Sequence, residues 1–220
     1  MQNISGEPSY KSSTLVHDAA WERETHYVEH PWTPQKRILS LAALQPLGNP
    51  ENVRILDYGC GNAKMVQFFY EEGYQVQGTD ISAVVINKNT EDYPHLSFKL
   101  ATPENPAPYP DNSFDVIFSS EVIEHVYDVD FVFSEFNRML RPEGKLLLTT
   151  PYHGLAKNLV IALFYFDTHY SPTWEHIRFF TKNSLGRVCR AHGFTPSKWS
   201  RVGRIGFLAR SFFLTCEKTG

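Results

Sequence analysis

The sequence is poor in cysteine, lacks an excess of positive charge and has no long apolar run. Its three cysteines, Cys60, Cys189 and Cys216, stand far apart in 220 residues and form no C-x-x-C pair. That spacing offers neither a disulfide framework nor a four-cysteine zinc site, and it fits a reducing, cytoplasmic setting. Lys and Arg number 21 against 24 Asp and Glu, a net charge of −3. Nucleic-acid binding ordinarily leaves a basic footprint, so no such partner is expected. The longest apolar stretch, Leu159 to Phe166, is eight residues, well under the ~18 that read as a membrane span. Met1 to Tyr10 has neither a charged head nor an apolar middle, so no signal peptide is expected there. Internal repeats and low-complexity segments are absent. What the chain does have is apolar and aromatic content, 42% and 14%, which excludes a disordered chain. A single domain of this size buries roughly 70–75% of its unfolded surface and needs no covalent staple.

Residues 1–20 are polar and Ser-rich, and a loose start is expected. Pro34 suits the first turn of a helix running to Leu44, with Thr33 as N-cap. Leu47 to Pro50 is turn chemistry. Strands and helices then alternate. Strands are expected at Val53–Asp57, Tyr74–Thr79, Leu96–Leu100, Phe114–Ser119 and Lys145–Thr150. Helices are expected at Ala63–Glu72, at Ala83–Asp92 behind a Ser82 cap, and from Asp128 or Asp130 to Leu140. Pro103 to Asn112 carries four prolines and reads as a loop. Such alternation predicts a parallel sheet with helices on both faces. In the last third, Leu155–Phe166 reads as a helix. Thr181 caps a helix to about His192, and Phe194–Val202 and Phe207–Glu217 form an antiparallel pair. The expectation is one domain over 1–220: a helical cap (1–50), a binding core (51–151), an insertion on the substrate side (152–180) and a closing helix with two strands (181–220).

The chemistry concentrates in Asp57-Tyr58-Gly59-Cys60-Gly61-Asn62-Ala63-Lys64, between a strand and a helix. Two glycines permit positive φ and close approach of backbone to a ligand. The helix that follows presents free N–H groups to an anion. Asp80 ends the next strand, nineteen residues after Gly61, where a carboxylate accepts hydrogen bonds from a ribose diol. The third glycine of the dinucleotide fingerprint is missing, since Lys64 stands there. Alone, the loop is also compatible with a tight turn that binds nothing.

Ile55-Leu56-Asp57-Tyr58-Gly59-Cys60-Gly61 resembles the first motif of class I S-adenosylmethionine-dependent methyltransferases. Gly78-Thr79-Asp80-Ile81-Ser82 resembles their second. Tyr109 to Ile117 and Ser120-Glu121-Val122-Ile123-Glu124-His125-Val126 are similar to their fourth-strand block, and Leu140 to Leu146 to the turn before their fifth strand. Five ordered blocks span roughly residues 50–150. The small-molecule members, including the ubiquinone-biosynthesis O-methyltransferases, are the most similar. The resemblance implies an α/β, Rossmann-like seven-stranded sheet, mostly parallel with an antiparallel C-terminal strand and helices on both faces. It implies S-adenosyl-L-methionine across the carboxyl ends of strands one and four. Asp57, Gly59 and Gly61 would shape the methionine pocket, Tyr58 and Cys60 would belong to the cofactor site with them, and Ser119, Ser120 and Glu121 would face the methionine end. Asp80 would hold the ribose, and Ile81 would pack on adenine. Thr102 stands where many relatives carry an acid for the adenine amino group.

Methyl transfer to a small-molecule hydroxyl is the expected activity. N- or C-methylation and a non-catalytic cofactor-binding domain are the alternatives. A hydroxyl acceptor benefits from a general base, for which histidine is suited. His125, His153, His169 and His176 are candidates. His176 is chosen as the base and His125 retained as a second catalytic candidate, although a lone histidine is more often structural. His169 and His176 lie seven apart without ligand spacing, so no metal is expected. Leu155–Phe166 is read as a lid for an apolar substrate. Peripheral contact with a membrane is the alternative, with Lys157 a sparse charge for that purpose. Trp21, Tyr27 and Trp32 are candidates for the opposite wall. The oligomeric state is not specified by the sequence.

Overall fold

The computed structural model describes residues 18, 31–102, 108–169, 176–203 and 209–219. Strands β1 (Arg54–Tyr58), β2 (Gln75–Asp80) and β3 (Ser97–Leu100) alternate with helices α2 (Lys64–Glu71) and α3 (Ala83–Asp92). Helix α1 (Thr33–Leu44) precedes them. Then come β4 (Phe114–Ser120), α4 (Val129–Met139), β5 (Leu140–Pro151), α5 (Leu155–Phe164), α6 (Phe166–His169), α7 (Lys182–Ala191), β6 (Phe194–Val202) and β7 (Ser211–Lys218). The seven strands form one sheet in the order β3-β2-β1-β4-β5-β7-β6. β7 runs antiparallel to both β5 and β6, and the remaining pairs are parallel. The expected sheet is therefore present. Its order reverses between β1 and β4, which opens a crevice at their carboxyl ends.

Alternation along the strands sorts the core into two layers. Leu56 and Ile117 face Phe133 and Phe136 of α4 and Leu185 and Cys189 of α7. Ile55, Val116 and Phe118 face Val66 and Phe69 of α2, with Leu44 of α1 and Ile86 of α3. Phe69 is fully buried and meets Phe118 edge-on at 5.5 Å between ring centres.

Several boundaries differ from the sequence reading. Thr33 is the first residue of α1, not its cap; it is buried, and Trp32 takes the N-cap position without a side-chain capping bond. Ala63 precedes α2 in a left-handed conformation rather than starting it. β5 begins at Leu140 instead of Lys145, because Leu140 pairs with Phe114 across a bulge. Glu143, at positive φ, gives the extended stretch the bend that reads as a turn in sequence. The expected Leu155–Phe166 helix is split at Tyr165 into α5 and α6. The Ser82 and Thr181 caps are present, the latter as a capping box with Ser184. The expected loose start over 1–20 lies outside the described residues apart from Asp18, as do Trp21, Tyr27, Glu175 and the Phe207 end of the last strand.

Phe69→Ala removes the ring that joins α2 to the central strand. It should lower unfolding free energy by about 3–5 kcal/mol in chemical denaturation.

Candidate functional site

The crevice is built from loops that leave the carboxyl ends of β1, β2, β4 and β5. After β1 the chain turns at Gly59 and Gly61, at φ of 77° and 47°. The N–H groups of Gly59 and Cys60 both donate to Thr79 O, at 2.8 and 2.9 Å. A Cβ on Gly59 would stand 2.3 Å from Val122 Cγ2, so this glycine lets the β1 and β4 loops touch. Cys60 turns inward: its Sγ takes a 3.8 Å contact from Asn89 Nδ2, and burial raises its pKa. Only its backbone remains for a ligand. Asp80 binds the loop as well as facing the crevice. Its carboxylate accepts from Gly61 N and from Ser82 N, both at 3.0 Å. Ser82 Oγ bonds Asp18, which brings that carboxylate to the same rim. Ile81 and Thr102 sit half-buried at the ends of β2 and β3.

The other side of the crevice holds most of the polar groups. Ser119 Oγ donates to Tyr58 O at 2.9 Å, so its hydroxyl stitches β4 to β1. Ser120 Oγ meets Thr149 Oγ1 at 2.8 Å. Glu121 adopts φ of 56°, unusual for a residue with a side chain. Its carboxylate accepts from Thr149 Oγ1 at 2.8 Å, Ser211 Oγ at 3.2 Å and Lys36 Nζ at 3.3 Å. Lys36 also bonds Ser120 Oγ at 2.9 Å. Asp57 is buried, and burial together with the negative charge of Asp80 raises its pKa to about 8, against the pull of Lys36.

Next to this cluster, Glu124, His125 and His176 come together, each offering one ligand atom within 4.8 Å of the others. The two imidazoles meet edge-on at 4.7 Å between ring centres. Glu124 is buried, with its pKa raised to about 8 by burial and by Glu121. One carboxylate oxygen accepts from Thr150 Oγ1 at 3.1 Å, and the other is buried with no hydrogen bond among the described residues. The insertion reaches this loop through backbone bonds. Ile177 N and Arg178 N both donate to Glu124 O at 3.1 Å, and the Arg178 guanidinium donates to Val126 O and Tyr127 O. The Glu124 set also has the donors to take a divalent cation. Ligand spacing in sequence did not show it, because His176 joins from the insertion.

The remaining histidine candidates separate. His153 is buried, bonds Asn158 Oδ1 through Nδ1 at 3.3 Å and packs edge-on to Phe179 at 4.9 Å, a structural arrangement. His169 ends α6. Sequence reasoning missed Lys36, Glu124, Thr149 and Ser211. Only Glu124 lay within a recognised motif; the others reach the site through helix and strand placement. A separate cleft of about 140 Å³, lined by Leu39, Ala43, Lys145, Ser200 and Phe213 among others, lies between α1 and strands β5, β7 and β6.

Two substitutions test the loop geometry. Gly59→Val should destabilise the free protein, because the new side chain drives into Val122 at a positive φ. Its melting temperature should fall even without ligand. Asp80→Ala should weaken binding of S-adenosylhomocysteine by about 1–3 kcal/mol in calorimetry, and unchanged affinity would remove Asp80 from the ligand site.

Comparison with known proteins places this geometry. A family described as a methyltransferase domain matches residues 22–198. The malonyl-[acyl-carrier protein] O-methyltransferase of Hamiltonella defensa subsp. Acyrthosiphon pisum (strain 5AT) is 28% identical over 172 residues, 78% of this chain. The chain spans 64% of that relative's length. The ubiquinone biosynthesis O-methyltransferase of Leptothrix cholodnii (strain ATCC 51168 / LMG 8142 / SP-6) is 24% identical, covering 99% of this chain and 94% of its own. Among solved structures, magnesium protoporphyrin IX methyltransferase from Synechocystis PCC 6803 with bound S-adenosylhomocysteine superposes with a TM-score of 0.72. It is 13% identical and covers 96% of this chain and all of its own. The 1,6-didemethyltoxoflavin-N1-methyltransferase of Burkholderia thailandensis superposes with a TM-score of 0.64 at 19% identity, over 96% of this chain and 86% of that one. The sheet order, the glycine loop beneath the switch point and a family match over most of the sequence lead to one assignment: this chain belongs to the methyltransferase domain family.

Proposed function

We propose that this methyltransferase moves the methyl group of S-adenosylmethionine to a hydroxyl of a small molecule. The observation that carries the reading is the His125–His176 pair, with Glu124 buried against it, beside the methionine end of the crevice. The names of the two relatives, both O-methyltransferases, favour oxygen as the acceptor atom. The residues present suit the donor. Gly59 and Gly61 give a cradle of backbone at positive φ, Asp80 at the end of β2 is assigned to the ribose, and Asp57 as an acid and Lys36 as a cation are assigned to the methionine end. A zwitterionic amino acid matches that pair: Asp57 for its ammonium and Lys36 for its carboxylate. Bound S-adenosylmethionine supplies a methyl group already activated on a sulfonium.

The chain's task is then to align the acceptor and take its proton. Alignment at about 3–3.5 Å supplies much of the rate. His176 accepts the hydroxyl proton as the oxygen–carbon bond forms and the carbon–sulfur bond breaks, with that bond's electron pair staying on sulfur. His125 supports the ring of His176 edge-on. Glu124 responds to the charge so made. Burial favours its neutral form, and an imidazolium beside it favours the carboxylate, so the two protonations are linked.

Two measurements test this reading. His176→Ala should lower the single-turnover rate by roughly 10²–10⁴ when proton transfer limits, with cofactor affinity retained. The acid limb of the rate profile should go with it. A His176→Gln variant that keeps both rate and acid limb would make the residue structural.

Asp57 gives a second readout. Its folded pKa lies above the ordinary 3.8, at about 8. Between those values the folded chain holds more proton than the unfolded one, so this residue's contribution to stability falls as pH rises through the window. A cationic ligand favours the carboxylate, so binding should release a proton below about pH 8. Calorimetry in buffers of different ionisation enthalpy should show that release, and Asp57→Asn should abolish it.

A further inference from the structure

Helix α5 presents to water the residues that a surface helix normally hides. Only Ile161 of its ten residues is buried. Leu155 is 87% exposed, Leu159 58%, Leu163 65% and Phe164 73%, and Phe166 just beyond is 57% exposed. No charged residue stands between Asn158 and Phe166. Apolar patches of this kind on soluble proteins mark contact sites.

The surroundings say what kind of contact. Tyr152, three residues before α5, carries Lys157 Nζ at 5.7 Å and the Arg201 guanidinium at 5.4 Å from its ring centre. Its backbone N–H donates to the carbonyl of Arg210, whose side chain is exposed. These cations come from the end strands as well as from the helix, which is why α5 read alone in sequence looks too poorly charged for an anchor. Residues 152–210 contain nine Lys and Arg and only two Asp and Glu, a net +7 in a chain of net −3. An apolar helix with a cationic foot matches an anionic bilayer on both counts. The same patch leads to the crevice: His153 bonds Asn158 of α5 and packs on Phe179, three residues from His176.

We propose that α5 is a membrane-docking helix. It lies in the headgroup region of an anionic bilayer, with its Leu and Phe side chains toward the acyl chains and the exposed Arg201 and Arg210 at the lipid phosphates, while Lys157 ties the helix to Tyr152 O and Ala209 O. At ten residues it is too short to cross, so contact is peripheral and reversible. The inference does not depend on the methyl acceptor.

Sedimentation of the full chain with vesicles tests it, using phosphatidylcholine alone or mixed with phosphatidylglycerol. The expected result is binding to the mixed vesicles, weak binding to phosphatidylcholine, and release as salt is raised. Replacing Leu159→Asp and Leu163→Asp in one chain should weaken binding at least about tenfold. The melting temperature and S-adenosylhomocysteine affinity should be retained. Leu155→Asp, at a position almost wholly in solvent, repeats the readout should the pair unfold. Arg201→Glu with Arg210→Glu should erase the preference for anionic lipid. Absence of binding to mixed vesicles, or binding that survives the Asp pair, overturns the proposal. So does a dimer in analytical ultracentrifugation that the Asp pair dissociates, which would give the face to a second copy of the chain.

Discussion

The turn that ends β4 holds the crevice together. Glu121 leaves the strand at positive φ, a conformation that costs on the order of 1–3 kcal/mol in a side-chain-bearing residue. Its carboxylate is held by α1, β5 and β7 through Lys36, Thr149 and Ser211, and its backbone N–H by Thr149 O. Those bonds over-determine the turn and so keep the strain in place. The turn in turn carries Val122 over Gly59 and aims Glu124 and His125 at the insertion. The glycine of the first motif and the acid of the fourth-strand block are thus two sides of one contact.

Burial is used in opposite ways at the two ends of the sheet. Asp115, at the amino end of β4, is buried but paired with Arg54 at 3.1 Å and Arg141 at 2.8 Å. A carboxylate held between two arginines in this way fixes strands. Asp57 and Glu124, at the carboxyl ends, are buried with no arginine partner among the described residues, and both are pushed up to about 8. Raised acids of this kind hold a proton near neutrality and give it up when positive charge arrives, a property suited to a ligand site. The difference lies in the neighbours, since all three side chains are carboxylates in a low-dielectric interior.

The sequence made the central sheet legible because its apolar runs stop at glycine, proline and caps. Ser82 and Thr181 sit where their side chains satisfy helix N–H groups, and that local chemistry survives folding. Asp57, Gly59 and Asp80 are legible as a candidate site for the same reason: the loop and its acid are separated by one strand and one helix. What the sequence could not carry was contact between distant elements. Lys36 reaches Glu121 from a helix 85 residues away, and no local pattern marks it. Leu140 joins β5 only because Phe114 lies opposite. The inverted exposure of α5 hides in a composition that reads equally well as a buried helix. Cys60, by contrast, was assigned to the site through its place in the motif, yet its side chain belongs to the core.

The strand order also shapes how the molecule assembles. β7 is the last strand in sequence but lies inside the sheet, between β5 and β6. Among the described residues β6 therefore pairs with β7 alone, and the two meet locally, with Val202 opposite Ser211. They make a hairpin that closes over a short distance and docks on β5 as a unit. Ser211, which bonds Glu121, arrives with that docking. The polar cluster of the crevice is complete only once this hairpin is in place, so its docking acts as a check on the site: an incompletely folded chain lacks one of the bonds that hold its strained turn.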